Sequence, residues 1–233
     1  MQAPKRPLTV ATHLGVMSLT TSVKYRVLLA DDHPLFRQAL RAAVSLAQPQ
    51  LSIEEVGTLQ AAREALSRNQ EFALILLDLK MPDCGGFSGL LNLKSEYPQI
   101  PILVVSGSDT SVIVSNAIAL GAVGFIPKSA SVGDISDALS TVLAGGIWTP
   151  VSTPTAPVPR FVDAVASLSP TQLRIMMGVQ LGQPNKQIAH EIGVSEATVK
   201  AHMTAMFRKL GLQNRAQLLI AAQALSMNDS NIT

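Results

Sequence analysis

Four short apolar runs lie between residues 25 and 128, and each ends at a polar side chain. The runs are Tyr25–Ala30, Leu74–Leu77, Ile102–Val105 and Gly124–Pro127. The polar residues that follow or close them are Asp31 and Asp32, Asp78, Ser106, and Lys128. Runs this short and this rich in Val, Ile and Leu read as buried strands of a parallel sheet. Ligands of such sheets bind at the carboxyl ends of the strands. One fold assumption therefore gathers three carboxylates, a hydroxyl and an ammonium at one spot.

That set has a chemistry. Clustered carboxylates repel, and one takes up a proton unless a cation neutralises them. Mg²⁺ suits the cluster, because it favours one or two carboxylates, water and phosphate oxygens. Asp78 has the chemistry of a nucleophile that forms an aspartyl phosphate. Ser106 and Lys128 can hold phosphate oxygens by hydrogen bond and charge. Phosphoryl transfer depends mainly on positioning and neutralisation, which these groups supply.

Helix-like segments alternate with the apolar runs: Pro34–Ala47, Leu59–Arg68, Gly86–Tyr97, Ser111–Leu120 and Ser131–Ala144. Pro34 suits a first helical turn, where its missing N–H costs little. The alternation predicts right-handed crossovers and a doubly wound, five-stranded parallel sheet with helices on both faces. Thr149–Pro159 then holds four prolines in eleven residues and reads as an extended, semi-stiff linker. Charge is split on either side of it. Residues 24–147 carry 9 basic and 12 acidic side chains, whereas 148–226 carry 7 and 3. The acidic half suits a cation and the basic half suits nucleic acid.

The basic half reads as helices. Ser169 is placed as an N-cap with Pro170 at the first helical position. Leu173, Met176, Met177 and Leu181 follow at helical spacing, and Gly182 stops them. Asn185 is expected to cap a short helix with Ile188, Ala189 and Ile192 on one face, and Gly193 to turn the chain. Ser195 is expected to cap a third helix that Gly211 ends, with a fourth over Ala216–Leu225. A short helix, a tight Gly turn and a Ser-capped helix make a helix-turn-helix. Gly178 is a weak helix former, costing about 1 kcal/mol against Ala.

Leu28-Leu29-Ala30-Asp31-Asp32-His33-Pro34-Leu35-Phe36-Arg37 resembles the opening of a bacterial response-regulator receiver domain. Asp78-Leu79-Lys80-Met81-Pro82 with Gly86 resembles its phospho-acceptor loop. Val104-Val105-Ser106-Gly107 and Gly121-Ala122-Val123-Gly124-Phe125-Ile126-Pro127-Lys128 resemble its last signature segments. The resemblance implies a flavodoxin-like fold with Asp78 as the phosphorylation site. It implies Mg²⁺ held by Asp32, Asp78 and the Lys80 carbonyl, with Asp31 assisting. Ser106 and Lys128 would grip the phosphate, and Phe125 would be the switch aromatic that moves inward on activation. Phe stands where Tyr is frequent, and Ser106 where Thr is common. Lys80 and Ser108 fall where the family tunes dephosphorylation.

Asn185-Lys186-Gln187-Ile188-Ala189, Ile192–His202 and Arg208-Lys209-Leu210-Gly211 are similar to the DNA-binding domain of the NarL/FixJ (LuxR-type) regulators. In that family the third helix enters the major groove and the fourth mediates dimerisation. The implied DNA-binding residues are Lys186, Ser195, Thr198, Val199, Lys200, His202, Arg208 and Lys209, with Ala201 beside them in the groove. Met203 and Leu210 are assigned to the core. Ala216, Leu219 and Ile220 are the implied dimerisation residues. Gln172 stands where the family usually has Glu, which would remove a salt bridge.

Together these readings divide the chain into an extension over 1–23, expected to be disordered, and a receiver over 24–147. A Pro-rich linker over 148–164, an all-helical DNA-binding domain over 165–226 and a tail over 227–233 follow. Met17 is a plausible start just ahead of the first strand, so residues 1–16 are expected to be a disordered extension or an over-long gene call. The expected function is a phosphorylation-regulated transcriptional regulator of cytoplasmic location. Its partners would be a sensor histidine kinase, double-stranded promoter DNA and a second copy when active. The alternative is a DNA-binding regulator controlled by protein contacts without phosphate. A haloacid-dehalogenase-type hydrolase is disfavoured, because its second acid would fall at Lys80. The single cysteine, Cys84, excludes an internal disulfide, and no apolar stretch reaches the ~20 residues of a membrane span. The four His (13, 33, 190 and 202) show no His–His metal-ligand spacing.

Overall fold

The computed structural model describes residues 26–68, 71–150 and 156–225. The expectations for residues 1–25, for the middle of the Pro-rich stretch at 151–155 and for the tail lie outside them.

The first layer alternates β1 (Arg26–Ala30), α1 (Pro34–Ala47), β2 (Ser52–Val56), α2 (Leu59–Arg68) and β3 (Phe72–Asp78). It continues with α3 (Phe87–Glu96), β4 (Ile102–Ser106), α4 (Ser111–Ala119), β5 (Gly124–Pro127) and α5 (Val132–Leu143). The five strands are parallel, in the order β2-β1-β3-β4-β5. This is the doubly wound sheet the sequence predicts. The period of two sorts each strand's side chains onto opposite faces. Val27, Leu29, Leu74, Leu76, Leu103, Val105 and Ile126 pack with Leu40 and Val44 of α1 and Ile135 and Leu139 of α5. Leu28, Ala30, Ile75, Leu77, Ile102, Val104 and Phe125 face the layer of α2, α3 and α4.

β2 is the strand the apolar runs did not locate. It lies at one edge of the sheet, and its sequence, Ser-Ile-Glu-Glu-Val, goes with half burial at every position. Its carboxylates are neutralised by neighbours. Glu54 meets Arg26 at 2.8 Å and Arg68 at 3.3 Å, and Glu55 pairs with Arg37 and Arg41.

The second part is helical: α6 (Arg160–Ala166), α7 (Pro170–Gln180), α8 (Asn185–Ile192), α9 (Glu196–Leu210) and α10 (Arg215–Ala222). α6 shortens the linker, since this seven-residue helix takes residues 160–164 of the 148–164 stretch and runs on to Ala166, leaving the extended reading to Thr149–Pro159. Val162 and Val165 are buried, which is what holds so short a helix in place. A second correction concerns α8. Pro184 holds the N-cap position, and Asn185 is the first helical residue. The other caps stand as read: Ser169 accepts from Gln172 N, and Ser195 accepts from Thr198 N. Gly193 takes φ +72° at the α8–α9 turn, where a Cβ would be strained.

α3 packs against α7, and α4 against α6, so one apolar cluster continues from the sheet layer into the helical part. Linker residue Ala156 donates its N–H to Ser115 Oγ of α4 at 3.0 Å.

Gly178 is where helix propensity misleads. A Cβ there would lie 2.7 Å from Gln183 Oε1 and 2.8 Å from Ile188 Cγ1. The glycine lets α7 and α8 approach. Gly178→Ala should therefore destabilise the helical part by about 1–3 kcal/mol, although Ala is the better helix former. Thermal or urea unfolding of the variant measures the sign directly.

Candidate functional site

The crevice opens where the strand order reverses, between the carboxyl ends of β1 and β3. Asp31 and Asp32 leave β1 and Asp78 closes β3. Asp31 and Asp78 are buried, at 1% and 0% exposure. Lys128, just past β5, reaches across the site. Its Nζ lies 2.7 Å from Asp78 Oδ2 and 2.7 Å from Asp31 Oδ2. Nζ also lies over the Phe36 ring, 5.1 Å from the centroid. Backbone hydrogen bonds fix these positions. Lys80 N donates to Asp78 Oδ1 at 2.9 Å, His33 N donates to Asp31 Oδ1 at 2.7 Å, and Arg37 Nη1 donates to the Asp31 carbonyl at 2.6 Å.

Ser106 ends β4 beside Asp78 and is fully buried, with Oγ accepting from Ser108 N at 3.2 Å. The Ser106 carbonyl accepts from Lys128 N at 2.8 Å, tying hydroxyl and ammonium to one backbone link. All five sequence-predicted residues thus lie at the carboxyl ends of β1, β3, β4 and β5. Phe125, the expected switch aromatic, has its ring fully buried in this arrangement. Lacking a hydroxyl, Phe has no polar tip to hold it at the surface.

A divalent cation fits the donor set. Asp31 Oδ2 and Asp32 Oδ1 are buried without a hydrogen bond and have only ion-pair neighbours, Lys128 Nζ and His33 Nδ1. One ammonium does not balance three carboxylates. Ligand atoms of Asp31, Asp32, His33 and Asp78 lie within 4.8 Å of one another. His33 is the member that His–His spacing could not find; its position directly after the acidic pair was the available signal.

The loop after Asp78 is braced. Asp83 accepts from Leu59 N at 2.9 Å and Gln60 N at 3.0 Å, joining the loop to the start of α2. Cys84 is buried, and burial, then the charges of Asp78 and Asp83, push its thiol up to about 12. Its thiolate fraction near neutral pH is negligible. Thiol labelling of the native protein should run at least ~100-fold slower than after denaturation. A comparable rate would contradict the burial.

In the helical part, α9 turns Val199, Met203, Met206 and Leu210 inward. Val199 is fully buried, which corrects its assignment as a DNA contact. Ala197, Lys200, Ala201, Thr204 and Arg208 are exposed at i, i+3, i+4, i+7 and i+11, one helix face. Thr204 was missed, being a weak helix former with no charge to flag it. Thr198 and His202 flank this face, half-buried, and Ser195 and Lys186 are exposed. Lys200 is paired along the helix with Glu196 at 3.0 Å. Lys209 is turned elsewhere. Its Nζ donates to the Ser167 carbonyl at 2.9 Å and to Gln172 Oε1 at 3.3 Å. Gln172 Oε1 also accepts from Ser169 N at 3.0 Å, so Gln still serves the cap and this lysine. Arg215, also missed, donates to the Val179 and Gln183 carbonyls and fastens the α7–α8 turn to α10. On α10, Leu218 and Ala222 face inward, whereas Ala216, Leu219 and Ile220 are exposed, Ile220 by 69%.

Comparison with known proteins bears on both parts. Residues 27–140 match the response regulator receiver domain, and residues 166–222 match the bacterial regulatory proteins of the luxR family. A glycerol metabolism activator of Pseudomonas putida is 37% identical over 209 residues, covering 85% of this chain and 95% of that protein. The nitrate/nitrite response regulator protein NarL of Escherichia coli K12 is 30% identical over 201 residues, 83% of this chain and 93% of that one. Among solved structures, RcsB of Salmonella enterica serovar Typhimurium, bound to a promoter with the phosphomimetic BeF3⁻, shares the fold. Its TM-score is 0.52 at 22% identity, over 87% of this chain and 100% of that one.

Proposed function

The chain belongs to the LuxR-type response regulators, and from that premise we propose that phosphorylation of Asp78 controls its binding to promoter DNA. It is a transcription regulator with a receiver and a LuxR-type DNA-binding domain. The observation that carries the proposal is the Lys128 ammonium at 2.7 Å from both Asp78 and Asp31, inside a buried acidic crevice.

The nucleophile is a carboxylate oxygen of Asp78. The donor is the phosphohistidine of a sensor kinase, or a small acyl phosphate in its place. Mg²⁺, held by Asp31, Asp32, Asp78 and the Lys80 carbonyl, supplies charge neutralisation when bound. Lys128 is placed to pair with a phosphoryl oxygen, and Ser106 to donate its hydroxyl to another. The new charge, near −2, would draw both groups toward residue 78. Lys128 would then leave Asp31, and the β4–α4 loop would follow Ser106. α4 touches α6 and holds the linker through Ser115, so this movement reaches the DNA-binding half. The receiver's own chemistry is limited to this transfer and its hydrolysis.

The α9 face of Ala197, Lys200, Ala201, Thr204 and Arg208 enters the major groove, with Lys186 and Ser195 on the phosphate backbone. Exposed Leu219 and Ile220 are the apolar centre of a contact with a second copy, which sets two half-sites about 10 bp apart or a multiple. No helix among the described residues is long and apolar enough to cross a membrane. A DNA-bound regulator with one unpaired cysteine works in the cytoplasm.

DNA selected from a random pool by the phosphorylated protein provides the test ligand. Lys200→Ala and Arg208→Ala should each weaken binding about tenfold and lower the salt slope by about 1. Lys209→Ala should leave the salt slope unchanged and lower the melting temperature instead. A Lys209 variant that loses salt dependence would contradict this division. The already buried Phe125 favours a second reading, a receiver held active without phosphate by protein contacts; full-strength DNA binding by the unphosphorylated protein would select it.

A further inference from the structure

The outward face of α9 has almost nothing along its middle that can donate a hydrogen bond. Ala197, Ala201, Thr204 and Arg208 are exposed and succeed one another at i, i+4, i+7 and i+11, along one line of the helix. Lys200 and Glu196 lie to one side of that line, and Lys200 Nζ is turned along the helix to Glu196 Oε1 at 3.0 Å. The first three residues of the line bring methyl groups and a single hydroxyl. That hydroxyl is committed, because Thr204 Oγ1 donates to the Lys200 carbonyl at 3.0 Å. A hydroxyl has one proton to give. Thr204 therefore offers a groove its methyl group and a lone pair, and no donor.

The N-terminal residues of a recognition helix come nearest to the base edges. In α9 these turns hold Ala197 and Ala201. They are fixed by the Ser195 cap on Thr198 N and by Val199 and Met203, which are turned into the core. In the major groove guanine shows two acceptors, adenine an acceptor and an amine, cytosine an amine, and thymine an acceptor beside its 5-methyl group. A line without donors cannot bond the guanine acceptors or adenine N7. An amine of adenine or cytosine meets one acceptor, at Thr204, and none at Ala197 or Ala201. The thymine methyl is the feature that alanine and threonine methyl groups match.

We infer that this chain selects its DNA through thymine 5-methyl groups, seated on Ala197, Ala201 and the Thr204 methyl, with Lys200 and Arg208 flanking the apolar patch. This rests on reading α9 as the helix that enters the major groove. Each methyl group taken out of water in such a contact is worth about fourfold in affinity. The preference is thus built from several small contacts rather than one bidentate hydrogen bond.

Replacing thymine by deoxyuridine removes the 5-methyl group and keeps every hydrogen-bonding atom of the base pair. The full-length protein, treated with acetyl phosphate, is titrated with duplexes drawn from a random pool, in which thymines are replaced one at a time. At least one thymine in each half-site should be sensitive, with uracil weakening binding about fourfold, whereas uracil outside the half-sites should stay within about twofold. Ala201→Gly should bind thymine and uracil within about twofold of each other at one of the sensitive positions. Thr204→Val keeps a methyl group and discards the hydroxyl, and should keep the full thymine preference. Uracil tolerated at every position overturns the inference, as does full sensitivity retained throughout in Ala201→Gly or lost in Thr204→Val. In each of these cases DNA binding itself stands. A protein that selects no duplex overturns the groove reading of α9, and the inference with it.

Discussion

Asp78→Asn should abolish the gain in DNA affinity and dimerisation that a phosphodonor produces. The amide keeps the shape and the place of the carboxylate but removes the nucleophile. Loss of a nucleophile costs orders of magnitude, so transfer from acetyl phosphate should fall at least ~1000-fold, below detection. The variant should stay folded, because it removes one of three crowded carboxylates; its melting temperature should equal or exceed the native value. That combination separates lost chemistry from lost structure. Donor-dependent tightening in Asp78→Asn, measured by fluorescence anisotropy with a labelled duplex, would place the acceptor elsewhere.

Lys128→Ala should show the opposite pairing of effects, a loss of stability as well as of the switch. Asp31 and Asp78 are 1% and 0% exposed, and Lys128 Nζ is the ammonium at 2.7 Å from both. Removing one partner of a buried ion pair leaves an uncompensated charge and costs about 3–5 kcal/mol. Adding Asp78→Asn should restore at least about 1 kcal/mol, because the two side chains are in direct contact and their effects are not additive. Urea unfolding of the two single variants and the double variant closes the cycle. An unchanged midpoint in Lys128→Ala would mean that the crevice is hydrated enough to tolerate its charges alone.

The doubly wound sheet and its acidic crevice were legible in the sequence because buried parallel strands are nearly all apolar and the residues that follow them are not. β1, β3, β4 and β5 announce themselves this way. β2 does not, because it is only half-buried throughout and carries Glu54 and Glu55, which pair with arginines. α6 was hidden by the prolines beside it; the burial of Val162 and Val165 that forms it is a tertiary fact. Val199 shows the limit for the DNA-binding helix. Motif position placed it at the interface, but whether a side chain faces the groove or the core is decided by packing against α6, α7 and α8.

The most direct measurement follows phosphoryl occupancy of Asp78 and DNA affinity in the same samples. Protein titrated with acetyl phosphate and Mg²⁺ is divided. One portion is reduced with borohydride, so that an aspartyl phosphate is read as homoserine by peptide mass spectrometry; the other is titrated with labelled duplex. The expected result is homoserine at position 78, with duplex affinity rising in proportion to its fraction. Full occupancy of Asp78 with no change in affinity would contradict the account, since the crevice would then carry out its chemistry without controlling the DNA-binding half.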